Sequence, residues 1–294
     1  MTASSIFGVW IQAARPRTLV AAVVPVWIAI CLALNSNSFL LIPASLCMLF
    51  AILIQVGTNF ANDYFDYQKG ADTADRIGPK RAVASGLIFP ATMLRATWIV
   101  LGLAFFVGLG LLPYGGWKLL LVGMMSILCA LIYTGGPYPL AYLGLGDFFV
   151  VGFFGVVAVG FTFFVQSGFF SADTFLAGSA IGLVINNLLV VNNYRDVEED
   201  CRSNKKTLAV RFGRKFSLWQ FRLQTVGSCV CCAYMQIIHL RTWVLPMLIF
   251  TIIGMRVSHK LDKAVTPQEF SSCLNTTSIM VPAFGIFLCI GILS

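Results

Sequence analysis

FLLIPASLCMLFAILIQVGTNFANDYFD, residues 39–66, is largely apolar for its first 20 residues and then turns polar as Asn59-x-x-Asn62-Asp63-x-x-Asp66. About 20 such residues are the length of one bilayer-crossing helix. If the helix continues past the membrane edge, Asn59, Asn62, Asp63 and Asp66 fall at i, i+3, i+4 and i+7, on one face. A second run has the same pattern. Asn192-Asn193-x-Arg195-Asp196-x-x-x-Asp200 also follows an apolar stretch, with Asn192, Asp196 and Asp200 at i, i+4 and i+8. Of the 12 acidic residues, eight lie in or just after these runs: Asp63, Asp66, Asp72, Asp75, Asp196, Glu198, Glu199 and Asp200. Clustered carboxylates at a membrane are costly unless a cation compensates them.

The rest of the chain sets the frame. Its 294 residues are 58% hydrophobic and 11% charged, with a mean hydropathy of +0.85, which is an integral-membrane composition. Apolar stretches at residues 18–34, 39–58, 93–112, 117–133, 148–166, 175–191, 218–238, 243–257 and 274–293 predict an all-α protein. The expected form is a bundle of about nine transmembrane helices in one domain over residues 1–294. Arg15-Pro16-Arg17 leads into the first stretch, which lacks a small-residue cleavage site and reads as a helix, not a signal peptide.

With a cytoplasmic N-terminus and alternating spans, only Lys118 and Arg241 of the 20 Lys and Arg fall outside. Both acidic runs then open long cytoplasmic loops, so their cavity is expected on that side. The net charge of +8 is a matter of topology and anionic lipid headgroups, and no nucleic-acid partner is expected. The nine cysteines lie mostly in apolar stretches without metal-ligand spacing, which reads as small buried hydrophobes.

Solvated acids at helix ends would account for one such cluster. Two clusters with matching spacing on one side favour a shared oxygen-ligand site, which suits Mg²⁺ and the phosphates that accompany it. Basic residues follow each run: Lys69, Arg76, Lys80 and Arg81 after the first, Lys205, Lys206 and Arg211 after the second. Acids and bases in one pocket describe a metal–diphosphate clamp. Arg76, Arg81, Arg195 and Lys205 belong to it by position, whereas Arg214, Lys215, Lys260 and Lys263 read as ordinary cytoplasmic charge. The aromatic run Phe148, Phe149, Phe153, Phe154, Phe161, Phe163 and Phe164 reads mainly as lipid-facing or packing residues, with a tunnel lining as the functional alternative. Tyr133-Thr134-Gly135-Gly136-Pro137 and Gly144-Leu145-Gly146-Asp147 flank another cytoplasmic loop, with Asp147 its sole carboxylate.

These residues resemble the UbiA-type intramembrane prenyltransferases. The likeness rests on Asn62-Asp63-Tyr64-Phe65-Asp66-Tyr67-Gln68-Lys69-Gly70-Ala71-Asp72, on Arg76-Ile77-Gly78-Pro79-Lys80-Arg81, and on Asn192-Asn193-Tyr194-Arg195-Asp196-x-x-x-Asp200 with Lys205-x-Thr207-Leu208-Ala209-Val210-Arg211. Arg15-Pro16-Arg17-Thr18-Leu19 and Tyr142-x-Gly144-Leu145-Gly146-Asp147 fit as well. Within that family the pattern is similar to the 1,4-dihydroxy-2-naphthoate polyprenyltransferases of bacterial menaquinone synthesis. The 4-hydroxybenzoate branch places a third Asp where this chain has Gly70. One departure is Asn204, where the family usually has Gly before its lysine. Asn also tolerates left-handed backbone, which leaves Lys205 and Lys206 both open as the diphosphate lysine.

The resemblance implies that Asp63, Asp66, Asp196 and Asp200 hold Mg²⁺, with Asn59 and Asn192 assisting. It implies that Lys69, Arg76, Arg81, Arg195 and Lys205 bind the diphosphate of a polyprenyl diphosphate. Arg17, Tyr133 and Asp147 are the expected contacts of the aromatic acceptor. The expected setting is the bacterial inner membrane, with the lipid bilayer as partner. Other acceptors of the same superfamily, 4-hydroxybenzoate or homogentisate, stay open. A cation-coupled transporter would want its carboxylates near mid-bilayer, not at span ends beside basic loops. A CDP-alcohol phosphotransferase would want Asp-Gly where Asp66-Tyr67-Gln68 stands.

Overall fold

Every one of those apolar stretches meets a helix in a computed structural model that describes residues 3–72, 81–239 and 245–294. The helices are α1 (Ala3–Ala14), α2 (Pro16–Asn35), α3 (Leu41–Gln68), α4 (Pro90–Leu109), α5 (Lys118–Ile132), α6 (Gly146–Ser167), α7 (Ala172–Arg195), α8 (Val197–Arg202), α9 (Leu208–Ile238), α10 (Leu245–Lys263) and α11 (Pro267–Leu293). Among the described residues six are long and apolar enough to cross a membrane: α2, α3, α4, α6, α7 and α11. The protein is therefore an all-helical, multi-pass membrane protein. α5 is apolar but shorter. α9 and α10 carry basic residues within the helix, including Arg214, Lys215 and Arg222 in one and Arg256 and Lys260 in the other.

Local chemistry sets the boundaries. Proline stands at the first turn of α2, α4 and α11, where its missing N–H costs nothing. Ser171 with Thr174, and Thr266 with Glu269, form capping boxes that start α7 and α11. Gly168, at φ 80, ends α6 in left-handed backbone. α2 packs against α3, α6, α7 and α11, so the first long helix is an inner post of the bundle. The main core gathers Ile28, Ile181, Phe221, Leu261, Phe284 and Leu288, all fully buried, from α2, α7, α9, α10 and α11.

α6 and α7 meet backbone to backbone. Residues Val150–Val157 of α6 are wound as a π-helix, a wider turn that recurs beside functional sites. Within it Gly155 faces Gly178 and Gly182, and a Cβ on Gly155 would run into the Gly178 carbonyl and lie 2.8 Å from the Gly182 Cα. Backbone cannot yield as a side-chain tip does. Gly155→Val is therefore expected to destabilise the fold by about 1–3 kcal/mol, read as a lower unfolding temperature in detergent.

Candidate functional site

α3 runs unbroken through Asp66 and α7 through Arg195, so both acidic runs project from the ends of long helices. Asp63, Asp66, Asp196 and Asp200 are all buried. Asp63 holds the backbone of the loop after the first run: its Oδ2 accepts the Ala82 N–H at 3.1 Å and its Oδ1 the Val83 N–H at 3.1 Å. One turn later Asp66 Oδ1 accepts the Tyr142 hydroxyl at 3.0 Å. Asn62 Oδ1 accepts the Thr134 hydroxyl at 2.7 Å, and Lys69 Nζ donates to the Thr134 carbonyl. Gly70, at φ 67, turns the chain away from α3.

In the second run Arg195 forks onto Asp196, its Nε on Oδ1 and its Nη2 on Oδ2 at 2.6 Å. Asp200 on α8 pairs with Lys205 Nζ at 3.3 Å, and its carbonyl accepts the Lys205 N–H at 2.8 Å. Asn204 between them takes the left-handed conformation, φ 57, so the turn for which glycine is usual is kept. Of the two lysines, Lys205 reaches the acids, while Lys206 is exposed and ties its backbone N–H to the Tyr142 carbonyl at 2.9 Å.

The two runs meet at Arg81. It pairs with Asp72 at 3.6 Å and lies within electrostatic reach of Asp66, Asp63, Asp196 and Arg195. Burial draws its guanidinium below the usual range, and the three carboxylates pull it back up. Burial likewise pushes Asp200 up to about 6, against the pull of Lys205 and with further upward pressure from Asp196 and Asp66. Among the described residues, buried Asp200 Oδ2, an acceptor, has no hydrogen-bond partner, and Arg81 Nε, a donor, has only the Asp72 carboxylate at 3.6 Å, beyond hydrogen-bond distance. Such groups are costly to bury unless something answers them.

The other expected site residues are placed as follows. Asn59 faces the α1–α2 elbow, donating to the Ala14 carbonyl at 2.9 Å and to Thr18 Oγ1 at 2.9 Å. Asn192 turns back to the Leu188 carbonyl of its own helix at 2.9 Å. Arg17 is exposed at the start of α2. Asp147 Oδ1 accepts from Asn186 of α7 at 3.0 Å and Gln220 of α9 at 2.6 Å, fastening three helices. Tyr133 lies within electrostatic reach of Asp147, Asp66 and Asp200 and also lines an apolar cavity. Arg76 lies outside the described residues.

That cavity, ≈ 170 Å³, runs between α2, α3, α5 and α6 and is almost wholly apolar. Phe149, Phe153, Phe154 and Phe161 of the aromatic run line it, and the first two stack with centroids 5.7 Å apart. Phe148 is exposed and Phe163 is in the core. Sequence reasoning gave no role to Tyr142 or Thr134, the residues that actually clasp the first run. Their only signal was their place in two short segments around the Tyr133–Asp147 loop.

Known proteins resemble this chain in sequence and in fold. The 1,4-dihydroxy-2-naphthoate octaprenyltransferase of Escherichia coli is 34% identical over 239 residues, 79% of this chain and 78% of that protein. The enzyme of the same name from Mycobacterium leprae is 31% identical over 280 residues, 95% of this chain and 94% of its own. A UbiA homologue from Archaeoglobus fulgidus, solved bound to GPP and Mg²⁺, superposes with a TM-score of 0.67 at 15% identity, covering 97% of this chain and 99% of that one. Residues 22–279 match the UbiA prenyltransferase family profile, and this chain, a multi-pass helical membrane protein, belongs to that family.

Proposed function

We propose that this protein transfers a polyprenyl group from polyprenyl diphosphate to 1,4-dihydroxy-2-naphthoate, with loss of CO₂, to give demethylmenaquinol. The observation that carries the reading is the gathering of buried carboxylates and cations: Arg81 lies within electrostatic reach of Asp63, Asp66 and Asp196, Asp200 of Asp196 and Asp66, and Asp200 Oδ2 is buried without a hydrogen-bond partner among the described residues. A metal–diphosphate answers both signs of charge at once, the ion meeting carboxylates and the phosphate oxygens meeting the cations. The two octaprenyltransferase relatives, which align over most of this chain, support the naphthoate acceptor.

The side chains fit Mg²⁺. All four carboxylates offer hard oxygen, and each keeps lone pairs beyond the bonds it already accepts. Among the described residues no three His, Cys, Asp or Glu side chains form a closed metal cage. Mg²⁺ does not need one, since it commonly binds through one or two carboxylates plus substrate phosphates. Asp63 and Asp66 from α3, with Asp196 at the α7–α8 junction and Asp200 from α8, would hold it. When bound, the ion would neutralise charge on the diphosphate.

The chain's own residues do the rest. Arg81, Arg195, Lys69 and Lys205 would supply fixed positive charge where the allylic C–O bond breaks and its electron pair leaves on the diphosphate. The apolar cavity takes the prenyl tail and keeps water from the allylic cation, while the faces of Phe149 and Phe153 stabilise it. The electron-rich naphthoate ring attacks the cation; loss of CO₂ returns its bonding pair to the ring and restores aromaticity. Tyr133, which lines the cavity, would orient that ring, with Asp147 and Arg17 as further contacts of the acceptor. In this reading the protein is one domain with nine membrane-crossing helices in the bacterial inner membrane, its N-terminus and both acidic loops cytoplasmic.

Incubation of purified protein with Mg²⁺, a polyprenyl diphosphate and either dihydroxynaphthoate or 4-hydroxybenzoate tests the assignment by product mass. A decarboxylated prenyl-naphthohydroquinone is expected; product from 4-hydroxybenzoate alone would overturn the acceptor. A pH dependence follows from Asp200, whose protonation midpoint stands at about 6. The deprotonated form binds metal, so Mn²⁺ affinity is expected to be level above that pH and to fall about tenfold per unit below it. Asp200→Asn should lower the affinity and flatten this slope.

A further inference from the structure

We infer that Tyr142 is a positioning residue of the diphosphate site, holding the lysines of both acidic runs on one ring and fixing Asp66 through its hydroxyl. The inference rests on the diphosphate reading above. Tyr142 is 9% exposed and lies on the connection between α5 and α6, on neither acidic helix. Its hydroxyl donates to Asp66 Oδ1 at 3.0 Å. Lys69 Nζ sits 4.6 Å from the ring centroid and Lys205 Nζ 5.9 Å from it. Its carbonyl accepts the Lys206 N–H at 2.9 Å, and its own N–H donates to the Pro139 carbonyl at 3.0 Å. One residue thus touches a carboxylate of the first run, the lysine after it, the lysine after the second run, and the backbone of that second loop.

The physical consequence is specific. Two ammonium groups in one pocket repel each other, and each is drawn toward the nearest carboxylate. An aromatic face attracts a cation without neutralising it, so the ring restrains both lysines while leaving them N–H donors for an anion. The hydroxyl acts on the other component. By occupying one oxygen of Asp66 it orients the carboxylate, as partners behind a ligand do at metal sites. Ring and hydroxyl therefore serve different ligands, and substitution can separate them.

The test uses purified full-length protein, with Mn²⁺ binding read by electron paramagnetic resonance and inorganic pyrophosphate binding by calorimetry at saturating Mn²⁺. Tyr142→Phe keeps the ring and removes the hydroxyl. Its Mn²⁺ affinity is expected to fall about tenfold, the worth of one hydrogen bond to a charged group, with pyrophosphate affinity within about twofold of wild type. Tyr142→Leu removes both, and pyrophosphate affinity should fall about tenfold as well. Wild-type affinities in both variants would overturn the inference. So would equal losses of both ligands in both variants together with a lower unfolding temperature, which is the signature of a merely structural tyrosine. A wild-type protein that binds Mn²⁺ but no pyrophosphate would sink the diphosphate reading itself, and this inference with it.

Discussion

Asp66→Asn and Asp63→Asn are each expected to lower Mg²⁺-dependent prenyl transfer by about 10³-fold, yet to fail differently. At Asp66 the amide keeps one oxygen for the Tyr142 hydroxyl, now 3.0 Å away, and loses the charge that holds a divalent ion. The neighbouring loop should be unaffected. At Asp63 both oxygens already accept backbone N–H groups, from Ala82 and Val83. An Asn there must set its NH₂ against one of those donors. One buried backbone N–H is left unanswered, at a cost of about 1–3 kcal/mol, and the turn that carries Arg81 loosens. Hydrogen exchange separates the two: the Ala82 and Val83 amides exchange faster in Asp63→Asn and at the wild-type rate in Asp66→Asn. Near-normal turnover in either variant removes that carboxylate from the metal role.

The helix over Leu41–Gln68 carries the first acidic run, as its spacing predicts, with Asp63 and Asp66 both buried, because a 3.6-residue period leaves little freedom once the apolar face is buried. Asn59 meets a different neighbour. Asn59 shares a face with Asp63, but a helix face is wide enough to meet two neighbours, and α1 covers the deeper turn. The sequence gives no strong sign of α1, whose 12 residues are too few to read as a span. α9 begins at Leu208, before the apolar stretch at residue 218, because Thr207 caps a first short turn of helix that joins the rest across a kink at Gly213, φ 82. Tyr142 was illegible for another reason. Its partners come from both runs, and only the folded connection between α5 and α6 places an uncharged ring between two lysines. The acidic runs carry their own periodicity; the groups that clasp them come from loops that have none.

Arg81 is where the electrostatics of the site should be most sensitive to a single change. Its guanidinium is the positive charge within reach of Asp63, Asp66 and Asp196 together, with Arg195 alongside. Arg81→Met leaves those carboxylates with less compensating positive charge and removes the guanidinium that would meet a diphosphate oxygen. Affinity for the prenyl diphosphate should then fall, even though no proposed metal ligand has been removed. The larger loss is expected in turnover, about 10²–10³-fold, because positive charge at the breaking bond acts chiefly in the transition state. Arg81→Lys restores the charge but not the fork that can reach Asp72 and a phosphate oxygen at once, so it should recover only part of the rate. The decisive measurement is turnover at saturating Mg²⁺ and prenyl diphosphate. If saturation restores Arg81→Met to the wild-type rate, the arginine only helps assemble the ligands; if the deficit persists, it stabilises the departing diphosphate.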